Sequence, residues 1–130
     1  FKNMIIELSQ YSDLALLILR LVIAAIFIYH ALPKLKNASG MSQMMGMPAG
    51  MIFMLGLVES VSSLGIIFGM YTQAAAFLLA MIMVGAIYFK IVKWRVPFGA
   101  MDKMGWEFDL ILLAANIFIL VNGGGTIGIQ

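Results

Sequence analysis

The sequence predicts an all-α polytopic membrane protein, an antiparallel bundle of four transmembrane helices built as a single domain over residues 1–130. Three observations predict it. The chain is 63% hydrophobic and 11% charged, whereas a soluble domain is roughly 25% charged, and its mean hydropathy is +1.04. Four apolar stretches each approach the ~20 residues needed to cross a bilayer. The breaks between them carry helix-ending or turn residues: Pro33, Pro48, Gly69 and the run Asn122-Gly123-Gly124-Gly125. Eight Lys/Arg and six Asp/Glu cannot cover a water-facing surface, which excludes a soluble monomer, and the hydrophobicity excludes intrinsic disorder. The ~10-residue alternating segments of a membrane β-barrel are missing.

The first stretch runs over about 14–32, interrupted by Arg20 and His30, and Pro33 is expected to end it. The second covers about 49–69, follows Pro48 and contains Glu59. The third covers about 73–92 and is free of charge until Lys90; the turn before it, Met70-Tyr71-Thr72, is short enough to force a hairpin. The fourth covers about 106–121. A cleaved signal peptide does not suit the first stretch, because Arg20 and His30 interrupt it and three more apolar stretches follow. Phe1 is not an initiator methionine, so a trimmed or processed chain is expected.

Basic residues set the expected orientation. Lys34, Lys36, Lys90, Lys93, Arg95 and Lys103 cluster on the two longer connections, against Lys2 alone on the opposite side. The positive-inside rule then makes loops 33–48 and 93–105 cytoplasmic and puts both termini outside, in a multi-pass protein of the cell membrane. On the inner side the sequon Asn37-Ala38-Ser39 is expected to carry no glycan. The net charge of +2 reads as topology, with no nucleic-acid partner implied. The expected partners are the lipid bilayer and other membrane subunits or further copies of the chain.

Several chemistries are excluded outright. The chain has no cysteine and one histidine, so disulfides, thiolate sites, multi-histidine metal cages and paired haem ligands are impossible within it. No tightly bound cofactor is expected. The Gly-rich tail 123–128 lacks the following helix that a phosphate loop needs. Met41, Met44, Met45 and Met47 form a weak soft-metal candidate; the plainer reading is a flexible apolar segment at the membrane interface or against a partner.

Attention falls on the buried polar residues, because ionisable groups in a bilayer persist when they pair or work. Counting helix rise, Arg20 and Asn116 lie about 9 Å from the outer end and Glu59 about 15 Å. An Arg20–Glu59 ion pair is therefore available, with Asn116 nearby. Asp13, Arg20, Phe27 and Lys34 recur every seven residues, and His30 falls on the same broad stripe, so one polar face of helix one should look inward. Glu59 shares its side of helix two with Gly56, Ser62 and Ser63, and Gly65 and Gly69 form a GxxxG pattern that suggests close packing. Near the inner end, His30 faces Glu107 or Asp109, and the shared stripe with Asn116 favours Asp109. A purely structural role, fixing helix register, stands beside a ligand or proton role for both clusters.

Leu19-Arg20-Leu21 with Tyr29-His30-Ala31-Leu32-Pro33-Lys34, then Gly56-Leu57-Val58-Glu59 with Leu64-Gly65 through Gly69-Met70-Tyr71-Thr72, then Gly105-Trp106-Glu107-Phe108-Asp109 and the Asn122-Gly123-Gly124-Gly125 end together resemble the DoxX family over nearly the whole chain. The resemblance implies a four-helix membrane protein tied to a quinone-linked redox complex or to sulfur and thiol oxidation, the first being the leading expectation. On that reading a diffusible quinone is the cofactor, and Arg20, His30 or Trp106 donates to its headgroup. An accessory or scaffolding subunit without a ligand is the alternative, and a small proton-coupled transporter is a second.

Overall fold

The structure is a computed structural model that describes residues 8–99 and 101–129. After a 3-10 turn at Ser9–Tyr11 come α1 (Ser12–Lys36), α2 (Ala38–Met45), α3 (Ala49–Phe68), α4 (Thr72–Tyr88) and α5 (Trp106–Asn122), with a π-helical turn at Phe89–Lys93 prolonging α4. No strand occurs among the described residues. Helix α1 packs mainly on α3, α3 on α4, and α4 on α5.

Among the described residues, three helices are long and apolar enough to cross a membrane: Ser9–Lys36, Ala49–Phe68 and Thr72–Lys93. Helix α5 has 17 residues, a length of about 25 Å. The polar and apolar residues sit the opposite way round from a water-soluble bundle. Arg20, Glu59, Ser62, Ser63, Thr72, Asp109 and Asn116 are buried, while Ile18, Val61, Ile111 and Val121 are exposed. That pattern suits a hydrocarbon surround, where apolar side chains need no cover and polar ones do.

Two elements depart from the sequence expectation. Helix α1 does not stop before Pro33 but runs through it to Lys36. A proline in the last turn forfeits one backbone bond, and the Asn37 N–H donates to the Pro33 carbonyl at 2.8 Å and closes the turn. The methionine-rich segment of loop 33–48 is itself a helix, α2, capped by Asn37 at its start and by Gly46 at its end. Gly46 has φ +71, a conformation glycine adopts without cost.

Small residues set the helix spacing. Ala24, Ala31 and Ala76 are fully buried. A Cβ on Gly56 would stand 2.9 Å from the Lys34 Cβ and 3.2 Å from the Ala31 carbonyl oxygen, so α1 and α3 meet here at a distance only glycine permits. Gly56→Ala must part the two helices, and a loss of about 1–3 kcal/mol is expected, read as a lower melting temperature in detergent. The Gly65/Gly69 pattern serves the α3–α4 turn and the tail: a Cβ on Gly65 would meet the Met70 carbonyl oxygen at 2.9 Å, and one on Gly69 would meet the Gly128 Cα at 2.8 Å.

Candidate functional site

The buried polar residues separate into two groups at opposite ends of α1, and the expected Arg20–Glu59 pair does not form. Arg20 spends its donors on carbonyl oxygens: Nε on Ile66 at 2.8 Å, Nη2 on Ile67 at 3.1 Å, and Nη1 on Gly124 at 3.0 Å and on Ile127. Two of these acceptors end α3 and two belong to the tail. About two turns earlier on α1, Asp13 takes the Thr126 hydroxyl at 2.6 Å and its N–H at 3.2 Å. The Gly-rich tail is thereby sewn across this end of the molecule. Four of the five guanidinium N–H protons are thus spent on backbone carbonyls.

At the other end, Glu59 pairs with Lys34. Continuation of α1 through Pro33 keeps Lys34 on the inward stripe, seven residues beyond Phe27. The carboxylate is 1% exposed and the lysine side chain 15%, so the acid is desolvated and the ammonium reaches in from the edge. Its other oxygen, Oε1, has no hydrogen-bond partner. A second pair joins Lys90 Nζ, in the π-helical turn, to Asp109 Oδ2 at 2.7 Å. Asp109 is buried and Glu107 is exposed, as the stripe through Asn116 favours. His30 pairs with neither acid: its Nδ1 lies 2.9 Å from the Ile26 carbonyl oxygen of its own helix, and its ring sits 5.6 Å from that of Phe108.

These groups line one cavity of about 900 Å3, whose walls come from α1 to α5 and the π-helical turn. His30, Lys34, Lys36, Glu59, Lys90 and Asp109 line it together with Tyr29, and the rest is largely apolar. Met41, Met45 and Met47 face it, while Met44 is 87% exposed. Trp94 lines it too and donates from Nε1 to the Met45 carbonyl at 3.1 Å; Lys93 Nζ holds the Gly46 carbonyl at 2.8 Å. The C-terminal end of α2 is thus fastened over the cavity by the end of α4.

Of the three expected headgroup donors, His30 alone lines the cavity. Trp106 packs edge-on against Phe98 at 4.7 Å. Asn116 is fully buried away from the cavity and donates to the Leu112 carbonyl of its own helix at 2.8 Å. No group of three or more His, Asp or Glu residues that could hold a metal ion occurs among the described residues. Sequence reasoning missed Lys34 and Lys90 as site residues, assigning both to topology, although Lys34 stood on the seven-residue stripe.

The DoxX family matches residues 15–94, which hold Arg20, His30, Lys34, Glu59 and Lys90. The chain belongs to the DoxX family. Among curated relatives of this DoxX protein, a Bacillus subtilis (strain 168) protein named "Putative oxidoreductase CatD" is 30% identical over 120 residues, covering 89% of this chain and 84% of the relative. An "Uncharacterized protein" of Haemophilus influenzae is 28% identical over 124 residues, covering 92% and 91%. No solved structure matches the chain significantly. It is a DoxX-family membrane protein whose apolar helices meet lipid.

Proposed function

We propose that this DoxX protein is a membrane subunit of a quinone-linked redox complex and that the cavity at its lysine-rich end takes the quinone. The observation that carries this reading is one apolar cavity of about 900 Å3 with His30 and two carboxylate–lysine pairs along its wall. An isoprenoid tail suits apolar and methionine-rich walls, which adapt to shape. A headgroup with two oxygens needs polar partners near the basic end, and His30, Lys34 and Lys90 are there. A bound quinone supplies two-electron chemistry that the side chains lack. The protein's own part is to bind, orient and exclude water, with protons held at the imidazole and the two pairs. The name of the Bacillus relative, an oxidoreductase, agrees with this reading.

In the same proposal all four long helices span the membrane, the 17-residue α5 included. The positive-inside rule puts Lys34, Lys36, Lys90, Lys93 and the cavity mouth in the cytoplasmic half and both termini outside. Partner subunits would supply the remaining redox centres.

Gly85 offers a clean test. It lines the cavity, and a Cβ placed on it meets nothing within 4 Å. Gly85→Phe should therefore fill the cavity without straining the fold, and loss of a helix glycine is itself favourable by up to about 1 kcal/mol. Native protein purified in mild detergent is expected to carry extractable quinone, measured by mass spectrometry, and Gly85→Phe to lose at least nine-tenths of it at an unchanged melting temperature. Equal, trace quinone in both preparations would leave a ligand-free accessory subunit as the better reading.

A further inference from the structure

We infer that the cavity prefers the hydroxyl-bearing, reduced form of its ligand, a hydroquinone, over the carbonyl-bearing quinone. This rests on the proposed quinone site and adds to it which member of the couple the site was built to hold.

The inference comes from which hydrogen-bonding atoms are already spent. His30 Nδ1 faces the Ile26 carbonyl oxygen at 2.9 Å. A carbonyl oxygen only accepts, so Nδ1 carries the proton, and in the neutral imidazole Nε2 is then a bare acceptor. The ring lines the cavity. Glu59 lines the same cavity and is 1% exposed. Its Oε2 is taken by Lys34, and its Oε1 is buried with no partner. Native proteins rarely leave a buried carboxylate oxygen unsatisfied. The terminal torsion of a glutamate is soft, so Oε1 can turn to a donor arriving through the cavity.

The donors are placed differently. Trp94 Nε1 is committed to the Met45 carbonyl, Lys34 and Lys90 each hold a carboxylate, and the two other donors on the lining, Lys36 and Tyr29, belong to exposed side chains outside the desolvated wall. The spare protons of the Lys34 and Lys90 ammonium groups belong to side chains 15% and 17% exposed, where water serves them, while Glu59 is shut off from it. The unmet hydrogen-bonding capacity of the desolvated wall is therefore acceptor capacity. A hydroquinone hydroxyl donates to such atoms. A quinone carbonyl oxygen brought against them would add another acceptor and meet lone pairs.

The test compares both members of one couple on the same protein. Full-length protein in lipid nanodiscs is titrated anaerobically at pH 8 with decylubiquinone and with decylubiquinol, and binding is read by tryptophan fluorescence. At least tenfold tighter binding of the quinol is expected. By linkage, the midpoint potential of the bound couple then lies about 30 mV above that of the free couple. The tenfold ratio should fall toward one in Glu59→Gln, whose amide offers a donor, and in His30→Leu, which removes the imidazole acceptor and serves if the first variant fails to fold. Quinone bound as tightly as quinol, or a potential shifted downward, overturns the preference and leaves the quinone site standing. Binding of neither form overturns both.

Discussion

Replacing Arg20 with alanine is expected to cost about 3–5 kcal/mol and to free the C-terminal tail. The guanidinium is 1% exposed and donates to four backbone carbonyls. The last four carbonyls of any helix lack partners within it. In α3 those of Ile66 and Ile67 are served by Arg20, that of Gly65 by the Met70 N–H at 2.9 Å, and that of Phe68 by the Ile129 N–H at 2.8 Å. Arg20 is thus a cap supplied from another helix, its positive charge lying against the negative end of the α3 dipole. Arg20→Ala would strand four acceptors where water is scarce. Arg20→Lys should fall between, since one ammonium cannot reproduce a planar fork of donors. Thermal unfolding in detergent gives the stability change. Carboxypeptidase digestion tests the tail, which should resist trimming in the wild type and be cut back toward Asn122 in Arg20→Ala. A variant that melts like the wild type with its tail protected would show that the carbonyls find water instead.

Arg20 also shows where sequence reasoning ends. That it is buried was legible, because an arginine inside an apolar run must face protein, and the seven-residue stripe from Asp13 to Lys34 set the face. Its partner was not. Matching depths along helices joins charge to charge, but a helix end is a cluster of unpaired carbonyls, and a loop that folds back brings more. The stripe also favoured Asp109 over Glu107, and the structure buries Asp109 alone. The long helices were legible within a few residues because length and hydropathy decide them. Helix α2 was not, since its eight residues are too few for an apolar period, although Asn37 and Gly46 mark its ends as caps do. Lys34 escaped notice as a site residue because Pro33 suggested a stop, and a lysine at a helix end looks equally apt for headgroups or for a buried acid.

The two ends of the molecule are consequently different in kind. At the tail end, Asp13 and four of the five Arg20 N–H protons are engaged by the chain itself. At the lysine-rich end, each acid has a lysine, yet Glu59 keeps an unpaired oxygen and His30 a free ring nitrogen beside a cavity. Polar groups that only fix register have no need of a cavity beside them.

The second large effect is expected at the Lys34–Glu59 pair, and it separates a structural from a ligand-binding role. Lys34→Met strands a carboxylate that is 1% exposed, at a cost of about 3–5 kcal/mol for a buried pair broken on one side. Proton uptake by the acid limits that loss, so Lys34→Met should be most damaging at high pH and milder as the solution is acidified enough to neutralise Glu59. The double variant Lys34→Met/Glu59→Leu removes both charges together and, with apolar groups of similar volume, should recover to within about 1 kcal/mol of the wild type or exceed it. A double variant no more stable than Lys34→Met would mean that the two sites are not coupled. Stability and ligand retention need not move together. If the pair only locks α1 to α3, the stable double variant keeps as much quinone as the wild type. If Glu59 Oε1 and the lysine belong to the site, the double variant folds and yet loses the quinone, because packing can replace an ion pair's contribution to register but leucine offers a headgroup no hydrogen bond.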